Sequence, residues 1–467
     1  MQAIDLINLG PFIILGFGGI TVLGLGILPA HVSTRTLAAV TIIILILGTV
    51  ATTLWKVPHE IDGMLVFDRL SRLFVQLCML GAIVITILSL YYPTTQKEMR
   101  EEYLSLILFT TLGMALFISS QNLVMAFVGL EILSVPLFAL IAWLPKQQHA
   151  IEGGIKYAML AGIAAAFFLY GTTLAYVNSG SLNIAALGQS LSDGHLPAIA
   201  VTLLLVGMGF KLALVPFHMW SPDIYQAAPA PVTALFASTV KAAVLIFLIR
   251  LLCLNLQPVW EALLPLLWIL AVISMFAGNL LALLQQNIKR LLAYSSIAHI
   301  GYIFVALAAG NSLGRDAAIY YSLAYALMNL GAFAVVAALA LTGKDRQTLE
   351  DYRGLGRQYP ILGISMAISL LALAGLPPTA GFVAKLLAFG SAVEAGHFIL
   401  AIIAVINTAI AFYYYLHILV IFFAEEKEKT GQIIAPLPKG TLVSVIVINS
   451  FIIGLGIFPE LITTGFP

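Results

Sequence analysis

The sequence is short of charge. Only 9% of its 467 residues are Asp, Glu, Lys or Arg, where a soluble globular chain carries roughly 25%. A water-facing surface cannot be built from so few. The signs nearly cancel, leaving a formal net charge of +1, so no basic footprint for nucleic acid exists. Cysteine is almost missing. Cys78 and Cys253 both fall inside apolar runs, and their spacing suits neither a metal nor an iron–sulfur cluster. They read as small buried hydrophobes; no disulfide framework or redox centre is implied. The first apolar run, about 11–29, lacks the basic start of a cleaved secretory leader and is expected to be a span. Long polar stretches are also missing. The largest connections, 178–196, 343–359 and 425–439, cannot hold a soluble domain, so any catalytic head belongs to another chain.

What the chain has is hydrophobic residues, 61% of the total. About 20 apolar residues cross the hydrocarbon core as a helix. The runs predict an all-α integral membrane protein of about fourteen helices, at 11–29, 36–54, 68–92, 101–118, 121–144, 152–177, 197–226, 231–254, 261–283, 288–310, 316–342, 360–393, 397–424 and 440–460. Numbering the loops alternately puts Arg35, Lys97, Arg100, Lys146, Lys289, Arg290, Lys344, Arg346, Arg353, Arg357, Lys427, Lys429 and Lys439 on one face. The other face receives only Lys56, Arg69, Arg72, Arg250 and Arg315. Cytoplasmic loops are the Lys/Arg-rich ones, which predicts both termini on the non-cytoplasmic side.

The middle of the chain repeats weakly. Asn122 and Asn287 each open a helix; Glu152-Gly-Gly-Ile-Lys156-Tyr157 returns as Asp316-Ala-Ala-Ile-Tyr320-Tyr321; Leu212-Ala-Leu-Val-Pro216 returns as Leu373-Ala-Gly-Leu-Pro377. An offset near 164 spans five helices, an odd number, so the second copy is inverted in the bilayer. Inverted repeats with interrupted helices are a transporter architecture. The expected segments are 1–100, 101–254 and 255–424, the latter two being the repeats, and 425–467 with the last helix. Both copies are interrupted at corresponding places, around Pro216 and Pro222 and at Gly375-Leu-Pro-Pro-Thr-Ala-Gly381. Proline removes a backbone donor, and in hydrocarbon such a break survives only where protein or a wet cavity satisfies the freed groups.

Charges stand where charge is costly. Glu131, Lys156, Lys211, Lys241 and Lys385 fall inside apolar runs, and a charge at the bilayer centre costs at least roughly 2.5–3.5 kcal/mol. Lys241 and Glu131 lie near the midpoints of their runs; Lys211 precedes the first break and Lys385 follows the second. Lysine loses its proton readily when desolvated, and a nearby carboxylate opposes that. The predicted proton relay is a Glu131–Lys211 pair handing on to Lys241 and then Lys385, with His299 bridging the last step. Two readings stay open for Lys156, a companion in the relay or a side chain snorkelling to the surface, and two for His299, a relay or a helix–helix hydrogen bond.

The carrying stretches are Gly129-Leu-Glu131-Ile-Leu-Ser, Lys211 onward through Val215-Pro-Phe-His-Met-Trp-Ser-Pro-Asp-Ile-Tyr-Gln-Ala-Ala-Pro-Ala-Pro-Val-Thr233, Lys289-Arg-Leu-Leu-Ala-Tyr-Ser-Ser-Ile-Ala-His299-Ile-Gly-Tyr, and Leu373-Ala-Gly-Leu-Pro-Pro-Thr-Ala-Gly-Phe. On these the chain resembles the antiporter-like subunits of respiratory complex I, an NADH:quinone oxidoreductase, from about residue 60 to 420. The Pro-Asp-Ile-Tyr-Gln variant is similar to the subunit N (ND2-like) branch, and the missing long lateral helix agrees with that. The resemblance implies a proton-translocating subunit with Glu131, Lys211, Lys241 and Lys385 at the relay positions, Lys156 as companion, and Glu102 matching a further carboxylate. It implies no cofactor and no metal in this chain; NADH, FMN, iron–sulfur clusters and quinone belong to partner subunits. It places the chain in the bacterial inner (plasma) membrane beside other membrane subunits, homologous antiporter-like ones included. One departure is that position 131 plus the repeat offset of 165 is Ser296, so the halves are chemically unequal. The alternatives are a subunit of an Mrp-type cation/proton antiporter, for which sodium-dependent transport would speak, a membrane-bound hydrogenase subunit, or a non-transporting scaffold.

Overall fold

Apolar runs with no water to satisfy their amides must close every backbone hydrogen bond internally, and a helix does so within one segment. The computed structural model describes residues 3–27, 32–55, 58–92, 100–144, 148–190, 195–256, 260–340, 346–425 and 437–463. Six lysines of the orientation count, Lys56, Lys97, Lys146, Lys344, Lys427 and Lys429, lie outside these residues.

Among the described residues, twelve helices are long and apolar enough to cross a membrane. They are α1 (Ala3–Ile27), α2 (Thr34–Thr52), α3 (Arg69–Tyr91), α4 (Glu101–Ser119), α5 (Leu123–Ile141), α6 (Gln148–Ser179), α10 (Ala230–Leu254), α11 (Trp260–Leu283), α12 (Ile288–Ala308), α13 (Ser312–Ala340), α17 (Phe398–Phe423) and α18 (Lys439–Ile457). Two further helices are interrupted. The first runs as α8 (His195–Leu212) and, after a break, α9 (Trp220–Ala227); the second as α15 (Pro360–Ala374) and α16 (Ala380–Glu394). Short helices α7 (Ile184–Ser190), α14 (Leu355–Gln358) and α19 (Glu460–Thr463) lie in connections or at the end.

A two-stranded hairpin, β1 (His59–Ile61) and β2 (Leu65–Phe67), was not expected from the sequence. Its turn holds Asp62 and Gly63 at φ 49° and 67°, the pairing that tight hairpin turns favour. The hairpin staples neighbouring loops together, since Gln121 N–H donates to Met64 O at 2.8 Å.

The loops at the heads of α5 and α12 are built alike. Asn122 caps α5 by accepting from the amides of Val124 and Met125; Asn287 caps α12 by accepting from those of Lys289 and Arg290. Beside each cap, Leu123 N–H donates to Leu182 O (3.0 Å) and Ile184 N–H to Gln121 O (2.9 Å). The counterparts 165 positions on are Ile288 to Gln347 (3.2 Å) and Leu349 to Gln286 (2.8 Å). Close helix contacts follow the same spacing. A Cβ on Gly113 of α4 would strike the backbone of Leu133 in α5, and one on Gly278 of α11 that of Ala298 in α12.

The core lies around α10, α12 and α13, which other helices enclose, while α1, α2, α6 and α17 present large apolar side chains outward, Phe17, Ile43, Met159 and Ile402 among them. Two basic residues that the sequence places in surface connections, Arg250 and Lys289, are instead buried, each 3% exposed. Both have partners that explain it. Arg250 forks onto both carboxylate oxygens of Asp68 at 2.8 and 3.1 Å, a geometry that suits guanidinium and carboxylate. Asp68 also caps α3 by accepting from Ser71 N–H at 2.7 Å. Burial alone would raise the Asp68 carboxyl; the charge and hydrogen bonds of Arg250, with Ser71, overcome it and hold the group below its usual range.

Candidate functional site

Three of the four predicted lysines lie deep in the protein: Lys211 is 1% exposed, Lys241 0% and Lys385 4%. Their surroundings differ from the sequence expectation in a consistent way, because the nearest polar groups are hydroxyls and carbonyls.

Lys211 sits in the last turn of α8, one residue before the break. Its Nζ donates to Ser134 Oγ at 2.6 Å and Tyr157 OH at 3.0 Å, and lies 4.9 Å from the Tyr157 ring centroid. The expected Glu131–Lys211 ion pair is absent among the described residues. Ser134 lies one turn along α5 from Glu131, on the same face, and takes the ammonium first. Glu131 stays in electrostatic reach of both Lys211 and Tyr157 and is itself partly exposed.

The break satisfies its own freed groups. Ala213 takes a left-handed conformation (φ 58°); Val215 N–H finds Ser274 Oγ at 3.2 Å, and the Trp220 indole finds Phe210 O at 3.0 Å. Pro222 falls in the first turn of α9, where a missing N–H costs nothing, so it begins the inner fragment and does not break it. Val215–Pro216 is a cis peptide, as is Pro377–Pro378 in the second break.

Lys241 comes directly after a π-helical turn, Phe236–Val240, inside α10. Such turns insert an extra residue and re-aim the side chains beyond it; they are frequent at functional sites. The Lys241 Nζ donates to Ser296 Oγ and lies 5.7 Å from the Tyr225 ring centroid. Ser296 in turn shares a 2.6 Å hydrogen bond with Tyr325 OH. Lys241 and Lys211 do not touch directly. Phe236 packs between their tyrosines, 5.1 Å from Tyr157 and 6.2 Å from Tyr225, ring to ring.

His299 has both ring nitrogens engaged, Nδ1 with Tyr321 OH at 3.0 Å and Nε2 with Tyr415 OH at 3.1 Å, and Tyr415 also bonds Ser295. It lies within electrostatic reach of Lys241 and Lys385. Tyr302, 5.6 Å from His299 ring to ring, presents its face to Lys385 Nζ at 4.9 Å. Lys385 donates to Ala374 O at 3.0 Å, the negative end of the α15 dipole, where a cation is favoured. From Tyr302 the polar side chains run on to Asn279, Asn407 and Tyr414 through bonds of 3.0–3.1 Å.

The remaining predicted residues stand apart from this line. Lys156 is half exposed on α6 and pairs with Glu152 at 2.6 Å; Glu102 is exposed in the first turn of α4. Sequence reading missed the hydroxyl partners Ser134, Tyr157, Tyr225, Tyr325 and Tyr415. Tyrosines four apart, as at 321 and 325, inside an apolar run are the signal that was available.

The chain can be compared with known proteins on this footing. The family described as "NADH:quinone oxidoreductase/Mrp antiporter, TM" matches residues 120–411. NADH-quinone oxidoreductase subunit N of Trichlorobacter lovleyi is 36% identical, over 95% of this chain and 93% of its own length. Subunit N of Chromohalobacter salexigens is 40% identical, over 80% and 79%. Among solved structures, a chain of respiratory complex I from Thermus thermophilus with bound aureothin superposes with a TM-score of 0.83 at 37% identity, covering 97% of this chain and 98% of that one. A chain of the archaeal membrane-bound sulfane sulfur reductase matches at 0.87 and 26% identity, covering 99% and 96%; one from the Mrp complex of a Dietzia species, at 0.88 but only 21% identity, shares the fold alone. With relatives this similar along nearly its whole length, the chain belongs to the NADH-quinone oxidoreductase subunit N branch of the antiporter-like membrane protein family.

Proposed function

We propose that the chain is a proton-translocating membrane subunit of NADH:quinone oxidoreductase, and that protons pass along Lys211, Lys241, His299 and Lys385 with hydroxyl groups between them. The observation that carries the relay is three lysines within the bundle, none exposed beyond 4% and none in an ion pair among the described residues. Each is solvated instead by Ser, Tyr or a helix-end carbonyl. An ammonium held this way can lose its proton without leaving a carboxylate unpaired, and hydroxyls both accept and donate. Glu131 supplies the adjustable charge at the first lysine, from a distance that leaves Ser134 between them. Lys156 and Glu102 are peripheral to this path.

In this reading the two interrupted helices join the twelve long ones as fourteen crossings. The 165-residue recurrence of caps, loop bonds and glycine contacts supports inverted repeats within 101–254 and 255–424, preceded by 1–100 and followed by 425–467. Both termini lie on the non-cytoplasmic side of a bacterial inner membrane. Electron transfer, with NADH, FMN, iron–sulfur clusters and quinone, takes place in partner subunits; this chain adjoins other membrane subunits, homologous ones included. Replacing Lys241 by Ala in the assembled complex, with proton uptake followed in sealed vesicles, should remove most of this subunit's pumping, since a positioned acid–base group contributes roughly 10²-fold or more. Undiminished pumping in a fully assembled complex would take Lys241 off the path.

A further inference from the structure

The inner fragment of the first interrupted helix, α9, has a break on each side, at 213–219 and at 228–229. Its eight residues are held largely by side chains, and several of those come from one place, the first turn of α12. Asn287 fixes that turn by accepting from the amides of Lys289 and Arg290. Lys289 Nζ donates to Ala228 O at 3.0 Å, the carbonyl that closes α9 and carries the partial negative charge of a helix end. Arg290 donates to Asp223 Oδ1 at 2.6 Å, to Gln226 Oε1 at 3.3 Å and, through Nε, to Gln285 Oε1 at 3.1 Å.

The fragment held in this way carries two rings that reach the two lysine sites. Trp220 packs 5.2 Å from Tyr157, the hydrogen-bond partner of Lys211. Tyr225 faces Lys241. Both pack on Phe236, the ring between the sites. A shift of α9 moves both rings together. The clasp itself reaches the surface, Arg290 being 27% and Asp223 47% exposed, and a pair so exposed adds little to stability. At the positions 165 residues earlier, the first turn of α5 carries Val124 and Met125, so the charged clasp is not repeated there.

We propose that Asp223, Lys289 and Arg290 form a clasp that sets the position of α9, and through Trp220 and Tyr225 governs proton passage between Lys211 and Lys241. They are positioning residues and carry no proton themselves. The inference rests on the relay proposed for Lys211 and Lys241. Its test uses the intact complex in vesicles, reading protons pumped per NADH oxidised together with hydrogen exchange of the backbone over 213–229. Asp223→Asn and Arg290→Gln should assemble, oxidise NADH, exchange faster over 213–229, and pump at a ratio falling toward that of Lys241→Ala. The exchanged pair Asp223→Arg with Arg290→Asp should recover both readouts, which a merely lost packing contact would not. Full ratio and unchanged exchange in both single variants would overturn the clasp, as would failure of both to assemble, which would make the contact structural. If Lys241→Ala itself pumps fully, the relay falls and the clasp with it; if Lys241→Ala is impaired and the clasp variants are not, the clasp alone falls.

Discussion

The two interrupted helices use a lysine at a break, but they solvate it differently. At the first break the lysine precedes the interruption and its ammonium rests on two side-chain hydroxyls, Ser134 and Tyr157. At the second it comes after the interruption and reaches back to the main chain, at Ala374 O. A hydroxyl can turn and donate once the ammonium has gone neutral. A carbonyl can only accept, and it depends on its donor. The same fold therefore makes one lysine site that tolerates proton loss and one in which the charge also completes a helix end. The turns differ in parallel. The second is closed by Gly375 at φ 88°, with Gly375 N–H and Leu376 N–H both returning to Leu371 O at 3.0 Å, a glycine-terminated helix end. The first sets Ala213 in a comparable left-handed conformation without that glycine.

The contrast can be broken most directly by removing each ammonium. Lys211→Met and Lys385→Met should both cost pumping by roughly 10²-fold, but they should part company in stability. Lys211→Met leaves Ser134 and Tyr157 free to reorient, whereas Lys385→Met strands a buried acceptor, worth about 1–3 kcal/mol. Thermal denaturation of the purified complex should show the second variant melting lower; equal melting would erase the distinction. A smaller effect sharpens it. Tyr157→Phe removes a hydrogen bond to Lys211 and should slow pumping by roughly tenfold, in line with about 1.5 kcal/mol, the low end for a bond to a charged group. Tyr302→Phe keeps the ring that faces Lys385 and should change pumping little, and a larger loss there would mean that the phenol itself carries protons. Smallest are the turns. Gly375→Ala puts a side chain into the left-handed region, at a cost of about 1–2 kcal/mol, and pushes it against the Lys385 stem. Ala213→Gly should relieve strain, leaving a gain of about 1 kcal/mol or less after the entropy of glycine is counted. Opposite shifts in melting temperature are the expected outcome; shifts of one sign would mean that the two turns are not comparable.

The twelve long apolar helices and both interruptions were legible in the sequence because length, hydropathy and proline act locally. So was the burial of Lys241, near the midpoint of its run, and of Lys211 and Lys385, beside the interruptions. What each ammonium touches was not legible. Ser134 is 77 positions from Lys211 and Ser296 is 55 from Lys241, and nothing in their own segments pairs them with a lysine. The Glu131–Lys211 pair was the natural guess from charge alone; a serine one turn away on the same helix face changes the outcome, and which of two neighbours an ammonium meets is decided by packing. Arg250 and Lys289 were misplaced for the related reason that a basic residue near a helix end looks solvated until its buried partner, Asp68 or the Ala228 carbonyl, is known. The hairpin left a trace in Asp62-Gly63, but three-residue strands are too short to show a period.

The enclosure of α10, α12 and α13 by other helices puts two demands on the same stretches of sequence. Each must be apolar enough to enter the bilayer when first synthesised, with lipid on every side. Once the neighbours close around it, no face meets lipid again, and serine, tyrosine, histidine and lysine become admissible wherever a partner waits. An outer helix such as α17 never gains that latitude on its exposed stripe of Ile399, Ile402 and Ile406. Lys241 on α10 and His299 on α12 therefore stand on segments that begin life as membrane anchors and end it as protein interior.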